Sequence, residues 1–286
     1  MEQLTSQIAL GLVSGALLVL LALGLNLIFG MLEFINFSHG ALYMVGAYVA
    51  AYVLGAVGNF WIALILVPII MAMIGAALER TLIRPMYPRN QVDALLLTFG
   101  LTYVIIEGVR MIAGSGGRSV AGPEELAFQV SLGFGRPLPA YLLFVVVVVG
   151  LVVLGLWLFL NRTNVGLIVR GGIRDHIMIR ALGVRFDRYR IVVFAVGVAV
   201  AGLAGVLTGP ITGVYPEMGA DILILAFVVV VVGGMGSFWG SVVSGLLIGL
   251  IVAITTLYAS IYAGIVPFLL MILVMTFRPR GLLGTT

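Results

Sequence analysis

Cysteine and lysine are both missing from this 286-residue sequence, and histidine occurs only at His39 and His176. Without cysteine there is no disulfide framework, no thiolate nucleophile and no cysteine-ligated metal. Two histidines so far apart cannot form a zinc-binding HExxH helix, so no metal site is expected. The absence of lysine excludes a P-loop, whose lysine reaches the β- and γ-phosphates of a nucleotide. If ATP energises what this chain does, another subunit must bind it. Charge is scarce too: 9% of residues are charged, where a soluble domain carries roughly 25%. No GxSxG, no GxGxxG and no paired intramembrane carboxylates occur, so an enzyme has nothing visible to work with.

What is present is apolar. Hydrophobic residues make up 62% of the chain and its mean hydropathy is +1.25. A globule of this composition could not solvate its own exterior, whereas lipid suits it. We therefore expect an all-α, polytopic transmembrane helix bundle, a single domain over residues 1–286. A span needs about 20 apolar residues. The candidates are Ile8–Phe29, Ala41–Val57, Trp61–Leu78, Ala94–Ala113, Ala140–Leu160, Ile191–Pro210, Ile222–Val232, Ser241–Ala259 and Ile261–Phe277. The seventh is short, so eight to ten membrane segments are expected. The first run lacks the positive flank and cleavage site of a signal peptide and is expected to stay as a span.

All fifteen basic residues are arginines, and the net charge of +4 needs no nucleic-acid partner to explain it. Arg80, Arg84 and Arg89 lie in one loop, Arg162, Arg170, Arg174, Arg180, Arg185, Arg188 and Arg190 in a second, and Arg278 and Arg280 in the tail. These three segments read as cytoplasmic by the positive-inside rule. Nine crossings from an outside N-terminus place all three on one side. The opposite side then carries Gly114–Pro139, a loop rich in Gly and Pro with Glu124 and Glu125 and room for a short hairpin within Leu126–Phe134. That loop is either a solvated connector or a docking surface for an external partner.

Two places break the helical pattern: Glu33–Gly40, containing Asn36, Ser38, His39 and Gly40, and Gly233–Gly240, containing Gly234, Gly236 and Ser237. Non-helical backbone at membrane depth is tolerated only where protein buries it or it lines a watery cavity, and transporters use broken helices to meet solutes. Spacing alone favours tight turns at the cytoplasmic surface, because each segment lies between two complete-looking spans. The loose likeness of the two breaks would also fit an internal repeat. Pairs of glycine at i, i+4 (Gly11/Gly15, Gly205/Gly209, Gly245/Gly249) allow close helix packing in lipid. Glu107 and Arg110, one turn apart, read as an intrahelical ion pair, and His39 as a hydrogen-bonded structural histidine.

Within the loop 161–190, Ile173, Ile177 and Ala181 recur at i, i+4 and i+8, with Met178 and Leu182 beside them and Arg174, Asp175 and Arg180 elsewhere around the helix. Gly183 follows as a natural stop. This predicts a short amphipathic helix, Arg174–Gly183, lying along the membrane. Either anionic membrane lipid anchors it, or it seats in the cleft of an ATPase and passes on the motion of that partner.

The stretch Ile35–Tyr48 resembles the permeases of branched-chain amino-acid ABC importers, in particular the shorter of their two permease types. The likeness extends through Arg180-Ala181-Leu182-Gly183-Val184, Phe194–Pro210 and Ala226–Gly245, and the resemblance as a whole takes in nearly the entire chain. It implies a permease subunit in the bacterial inner membrane that moves branched-chain or other hydrophobic amino acids by alternating access. Importers of urea, amides or aromatic acids share the class, and a stand-alone channel or secondary transporter is the rival from outside it. The implied partners are a second, distinct permease, two cytoplasmic ATPases and a periplasmic substrate-binding protein. ATP-Mg would be used by the ATPases, with no cofactor on this chain. Asn36, Ser38, His39, Gly40, Gly234, Gly236 and Ser237 become candidates for the pathway. Arg170, Arg174, Asp175, Ile177, Arg180, Ala181, Leu182 and Gly183 become candidates for ATPase coupling. The chain departs from the family at His176-Ile177, where relatives commonly carry an acidic residue.

Overall fold

A computed structural model of the chain describes residues 2–32, 34–131, 137–174 and 176–284. Helices dominate it: α1 (Glu2–Leu32), α2 (Ser38–Val57), α3 (Phe60–Leu78), α4 (Gln91–Ala113), α5 (Ala140–Arg162), α6 (Asn164–Arg174), α7 (His176–Ala181), α8 (Phe186–Thr212), α9 (Met218–Gly233), α10 (Phe238–Ala259) and α11 (Val266–Phe277). Among the described residues seven helices are long and apolar enough to cross a membrane, and Met218–Gly233 and Val266–Phe277 are shorter apolar helices. The chain is a multi-pass membrane protein. The last expected span, Ile261–Phe277, is reduced to the 12 residues of α11, because Ser260–Tyr262 makes a 3₁₀ turn and Pro267 opens the helix. At 1.5 Å per residue α11 reaches about 18 Å, well short of the roughly 30 Å of hydrocarbon.

Local chemistry sets several boundaries. Asn59 caps α3, its side-chain oxygen accepting from the backbone N–H of Trp61 at 2.9 Å and of Ile62 at 3.2 Å, which satisfies donors that a helix start leaves free. The end of α3 widens into one π-helical turn, Glu79–Ile83, before a 3₁₀ turn at Arg84–Met86. The loop after α4 forms a small antiparallel hairpin, β1 (Gln129–Val130) with β2 (Leu138–Pro139). The hairpin expected within Leu126–Phe134 thus closes several residues later, and Phe134 itself lies outside the described residues.

Helices α1 and α8 form the centre of the bundle. The most apolar stretch of each is 67% buried, against 17% for α5, whose flank faces outward. Glycine makes the centre possible. Gly11 and Gly15 of α1 lie against Gly245, Gly249 and Ala253 of α10, and Gly46 of α2 lies against Gly202 of α8. In lipid there is no hydrophobic drive between helices, so close van der Waals approach through small residues carries the association.

The three arginine-rich segments meet at one end of the bundle. Arg84 pairs with Asp187 at 3.3 Å. A cavity of about 250 Å³ brings Arg89 together with Gly172 and Arg190. A second, of about 240 Å³, joins Asn26 and Gly236 to Asn161 and Arg170. The tail reaches the same end, because the N–H groups of Leu282 and Leu283 donate to the carbonyls of Val232 at 2.8 Å and Gly233 at 3.1 Å. At the opposite end Arg118 bridges to Val214. There Arg110 pairs with Glu107 at 2.5 Å, the expected intrahelical pair, and also with Glu217. The Arg110 guanidinium holds the Glu217 carboxyl below the usual carboxylate range.

A test of the glycine packing follows. A Cβ on Gly46 would collide with the backbone of Gly202, whereas Gly55 of the same helix has open space around it. We expect Gly46→Ala to destabilise the protein by about 1–3 kcal/mol and Gly55→Ala to be neutral or mildly stabilising, read by thermal unfolding in detergent. Equal melting of the two variants would remove the packing argument.

Candidate functional site

The first break is not the surface turn that its spacing suggested. Helix α2 starts beside the middle of α1: His39 Nε2 lies 3.2 Å from the carbonyl oxygen of Leu21, eleven residues before α1 ends, roughly 16 Å along the helix. The chain doubles back after Leu32 and re-enters the bundle. Asn36, Ser38 and His39 are all completely buried. Spacing could not reveal this, since it reports the length of an apolar run and not the depth at which the next one begins.

Buried backbone needs partners, and Asn36 provides them. Its Oδ1 accepts from the backbone N–H of Ser38 at 3.1 Å and from Ser38 Oγ at 2.6 Å, so it caps α2 from two residues upstream. Phe37 N–H donates to Thr98 Oγ1 of α4 at 3.3 Å. Gly40 lies against the backbone of Gly219 at the start of α9, where any Cβ would collide. The Leu21 carbonyl can only accept, so the proton of a neutral His39 sits on Nε2 and leaves Nδ1 as an acceptor. Two buried polar atoms here, Asn36 Nδ2 and His39 Nδ1, have no hydrogen-bond partner among the described residues. The break therefore offers one unused donor and one unused acceptor.

The second break is a tight turn at the arginine-rich end. Gly234 and Gly236 take φ values of +106° and +82°, which glycine adopts without steric penalty. Ser237 N–H donates to the carbonyl of Gly234 at 3.0 Å, and Ser237 Oγ caps α10 by accepting from Gly240 N–H at 3.1 Å. The turn is held by a residue that the sequence did not single out. Asn26 of α1 accepts from Gly236 N–H at 2.6 Å and donates to the Ser237 carbonyl and to Ser241 Oγ, both at 2.8 Å. A lone asparagine inside an otherwise apolar run was its only signal.

The arginine-rich loop folds as two helices rather than one. Its first half, for which no helix was expected, is α6, and the expected helix at Arg174–Gly183 shortens to α7, followed by a turn at Gly183 with φ +79°. Asp175 lies outside the described residues, as do the side chains of Arg174, Ile177 and Arg180. Arg170 donates to Asn161 Oδ1 at 2.6 Å. Ala181 and Gly183 are exposed, and so are Met178 and Leu182, at 62% and 69%. α6 packs on α1, α5 and α8, and α7 on α6 and α8. Gly172 of α6 leaves room for the ring of Phe186 at the start of α8.

Beside it lies a cluster that sequence reasoning missed. Glu79 is completely buried and accepts from the Tyr87 hydroxyl at 2.7 Å. The Arg190 guanidinium stacks over Tyr87 at 4.2 Å and over Phe186 at 5.1 Å. Burial first, and the bond to Glu79 second, push the Tyr87 hydroxyl well above the usual phenol range. The cluster ties the loop after α3 to the first turn of α8. Its two halves, Glu79 with Tyr87 and Phe186 with Arg190, lie about a hundred residues apart, and each member reads alone as an ordinary residue.

A family model described as the permease component of the branched-chain amino acid transport system matches residues 7–275. The chain belongs to this family. It is 31% identical to the high-affinity branched-chain amino acid transport system permease protein BraD of Pseudomonas aeruginosa, covering 97% of this chain and 95% of that one. It is 31% identical to the LivH permease protein of Salmonella typhimurium, covering 96% and 93%. To the LivM permease protein of the same organism it is 26% identical, covering 94% of this chain and 68% of LivM. The chain thus spans nearly the full length of the BraD and LivH proteins and about two thirds of LivM. No solved structure matches it significantly.

In this permease the Asn26 contacts can be removed one at a time. Asn26→Ala removes three hydrogen bonds at once, from the exposed Gly236 N–H and to the Ser237 carbonyl and the buried Ser241 hydroxyl, each contributing about 0.5–1.5 kcal/mol. Ser241→Ala removes one contact and leaves Asn26 with its other two. The expected order of melting temperature is wild type, then Ser241→Ala, then Asn26→Ala. An Asn26→Ala protein that melts like the wild type would show that the turn holds itself.

Proposed function

We propose that this chain is the membrane-spanning subunit of an ATP-binding-cassette importer in the bacterial inner membrane, and that its solute is a branched-chain amino acid. The observation that carries this reading is the family match from residue 7 to residue 275. It is supported by full-length relatives named for branched-chain amino acid transport. Since both LivH and LivM types are related to it, its partner permease is taken to be a distinct, LivM-like chain. Two cytoplasmic ATPases and a periplasmic binding protein complete the assembly. The arginine-rich end faces the cytoplasm by the positive-inside rule. Importing is the work of the assembly, and the chain itself performs no chemistry.

The geometry offers a route for mechanical work. Arg170, Arg174, Asp175, Ile177, Arg180, Ala181, Leu182 and Gly183 form the surface that seats on an ATPase, with the exposed Met178 and Leu182 as its apolar contacts. When the ATPase pair closes on ATP-Mg, α7 is displaced and carries α6 with it. Because α6 rests on α1, α5 and α8, the displacement reaches the centre of the bundle directly. α1 holds both breaks, through Asn26 at one and the Leu21 carbonyl at the other, so its movement reshapes both. Asn36, Ser38, His39, Gly40, Gly234, Gly236 and Ser237 line or shape the pathway. At the first break the unused Asn36 donor suits a carboxylate, and the unused His39 acceptor suits an ammonium group. A free amino acid carries both.

Two substitutions test the coupling surface. Leu182→Asp puts a charge into the apolar contact, and Gly183→Pro forbids the positive φ of the turn, since proline is held near −65°. We expect the double variant to fold, to lose co-purification with the ATPases and to lose leucine uptake by about 10-fold or more, because a buried unpaired charge costs several kcal/mol. Normal ATPase association and ATP-dependent uptake would remove the coupling assignment. The purified chain pumping leucine uphill alone would overturn the importer reading as a whole.

A further inference from the structure

The largest cavity among those described, about 420 Å³, lies in the half of the bundle away from the arginine-rich end. The pathway residues discussed above do not line it. It extends along α1 from Gln7 to Leu21, is lined further by Leu142 of α5 and by α8, α9 and α10, with Tyr43 of α2 in its inner wall, and is open to the outside of the bundle. Its size falls in the range of small-molecule sites, about 300–1,000 Å³. No charged side chain lines it.

The lining changes character with depth. Near the ends of α1, α8 and α10 that face away from the arginines stand Gln7, Thr212 and Thr256, whereas Leu18, Leu21 and Ile248 form the deep part. The hydroxyls are already engaged, Thr208 with the Ala204 carbonyl and Thr256 with the Val252 carbonyl, both at 2.8 Å. A charged or strongly polar side chain entering the deep part would lose its water and find no donor or counter-ion, at a cost of several kcal/mol. An alkyl side chain gains about 0.8 kcal/mol for each methylene it buries. A solute with a zwitterionic head and a branched alkyl side chain matches that gradient, head at the mouth and alkyl group inward. The inner wall is continuous with the first break, since Leu21 lines the cavity and its carbonyl meets His39.

We infer that this chamber is a side-chain filter within the permease itself, receiving the branched alkyl group of the amino acid before it passes the break. The inference rests on the branched-chain reading above and adds to it that selectivity is exercised by this chain as well as by a binding protein. The chamber favours leucine, isoleucine and valine and rejects arginine or glutamate of similar length. An acyl chain of a lipid is the competing occupant, and the experiment separates the two.

Because the chain has no cysteine, a single introduced one reports only its own position. In the assembled importer, reconstituted with its partner permease and ATPases, Leu225→Cys and Val252→Cys in the chamber wall are labelled with a small maleimide. Leucine is expected to slow labelling at both positions by about five-fold or more at concentrations well above its dissociation constant. Equimolar arginine is expected to leave the rates unchanged. Co-purification of each variant with its partner permease and ATPases shows that it folds, and Ile222→Cys, also in the wall, replaces one that does not. Equal labelling with leucine and arginine, in an importer whose wild type takes up leucine, overturns the chamber and leaves the transport reading intact. That result is also the one a lipid-filled chamber gives. A wild-type assembly that takes up no leucine overturns the branched-chain reading and the chamber together.

Discussion

In hydrocarbon every backbone N–H and C=O must find its partner inside the protein, because lipid supplies none. Continuous helices meet this condition by themselves, and any interruption has to meet it some other way. The buried first break meets it through an asparagine, and a second asparagine holds the exposed turn at the arginine-rich end. Asn36 caps α2 deep within the bundle, and Asn26 reaches from α1 to the turn before α10. At the end of α9 the carbonyls of Val232 and Gly233 accept from the tail at Leu282 and Leu283. The amide side chain suits the task because it donates and accepts at once without a charge to desolvate. Aspartate would offer only acceptors and a costly ion.

Satisfying the backbone is necessary but leaves open how a helix end can sit within the bundle at all. Space for it comes from glycine. Gly24 and Gly197 let α1 and α8 meet, Gly40 meets Gly219, and Gly46 meets Gly202. These contacts bring α2 and α9 against the central pair, so the first break is sealed by backbone surfaces rather than by long side chains. Side chains fill what the glycines leave open, Ile28 packing over Gly197 and Met71 over Gly202.

The sequence disclosed what depends on composition and run length. Most spans, both breaks, the clustering of arginines at one end, the Glu107–Arg110 pair and the packing use of Gly11, Gly15, Gly245 and Gly249 were all legible from residue type and local spacing. The depth of the first break was not, because an apolar run of α1's length conceals where its neighbour begins. Asn26 stayed hidden because its partners lie more than two hundred residues away. The Glu79–Tyr87–Arg190 cluster is likewise a product of tertiary contact. α6 was missed for a different reason: Gly171 and Gly172 lower helix propensity, and contact with α1, α5 and α8 outweighs that local preference.

These features converge on α1. Its half away from the arginines forms one wall of the chamber, its middle offers the Leu21 carbonyl to His39, and the last turns before Leu32 hold the second break through Asn26. A helix in this position cannot tilt without changing chamber, break and turn together. It also touches α6 directly, the contact on which the proposed coupling relies. Close glycine packing against α10 and α8 restrains it to small displacements along those surfaces. A soft or branched contact network would spread an applied displacement over many side chains. Under the proposed coupling, a rigid helix running between glycine surfaces would concentrate it on the buried, incompletely bonded Asn36 and His39.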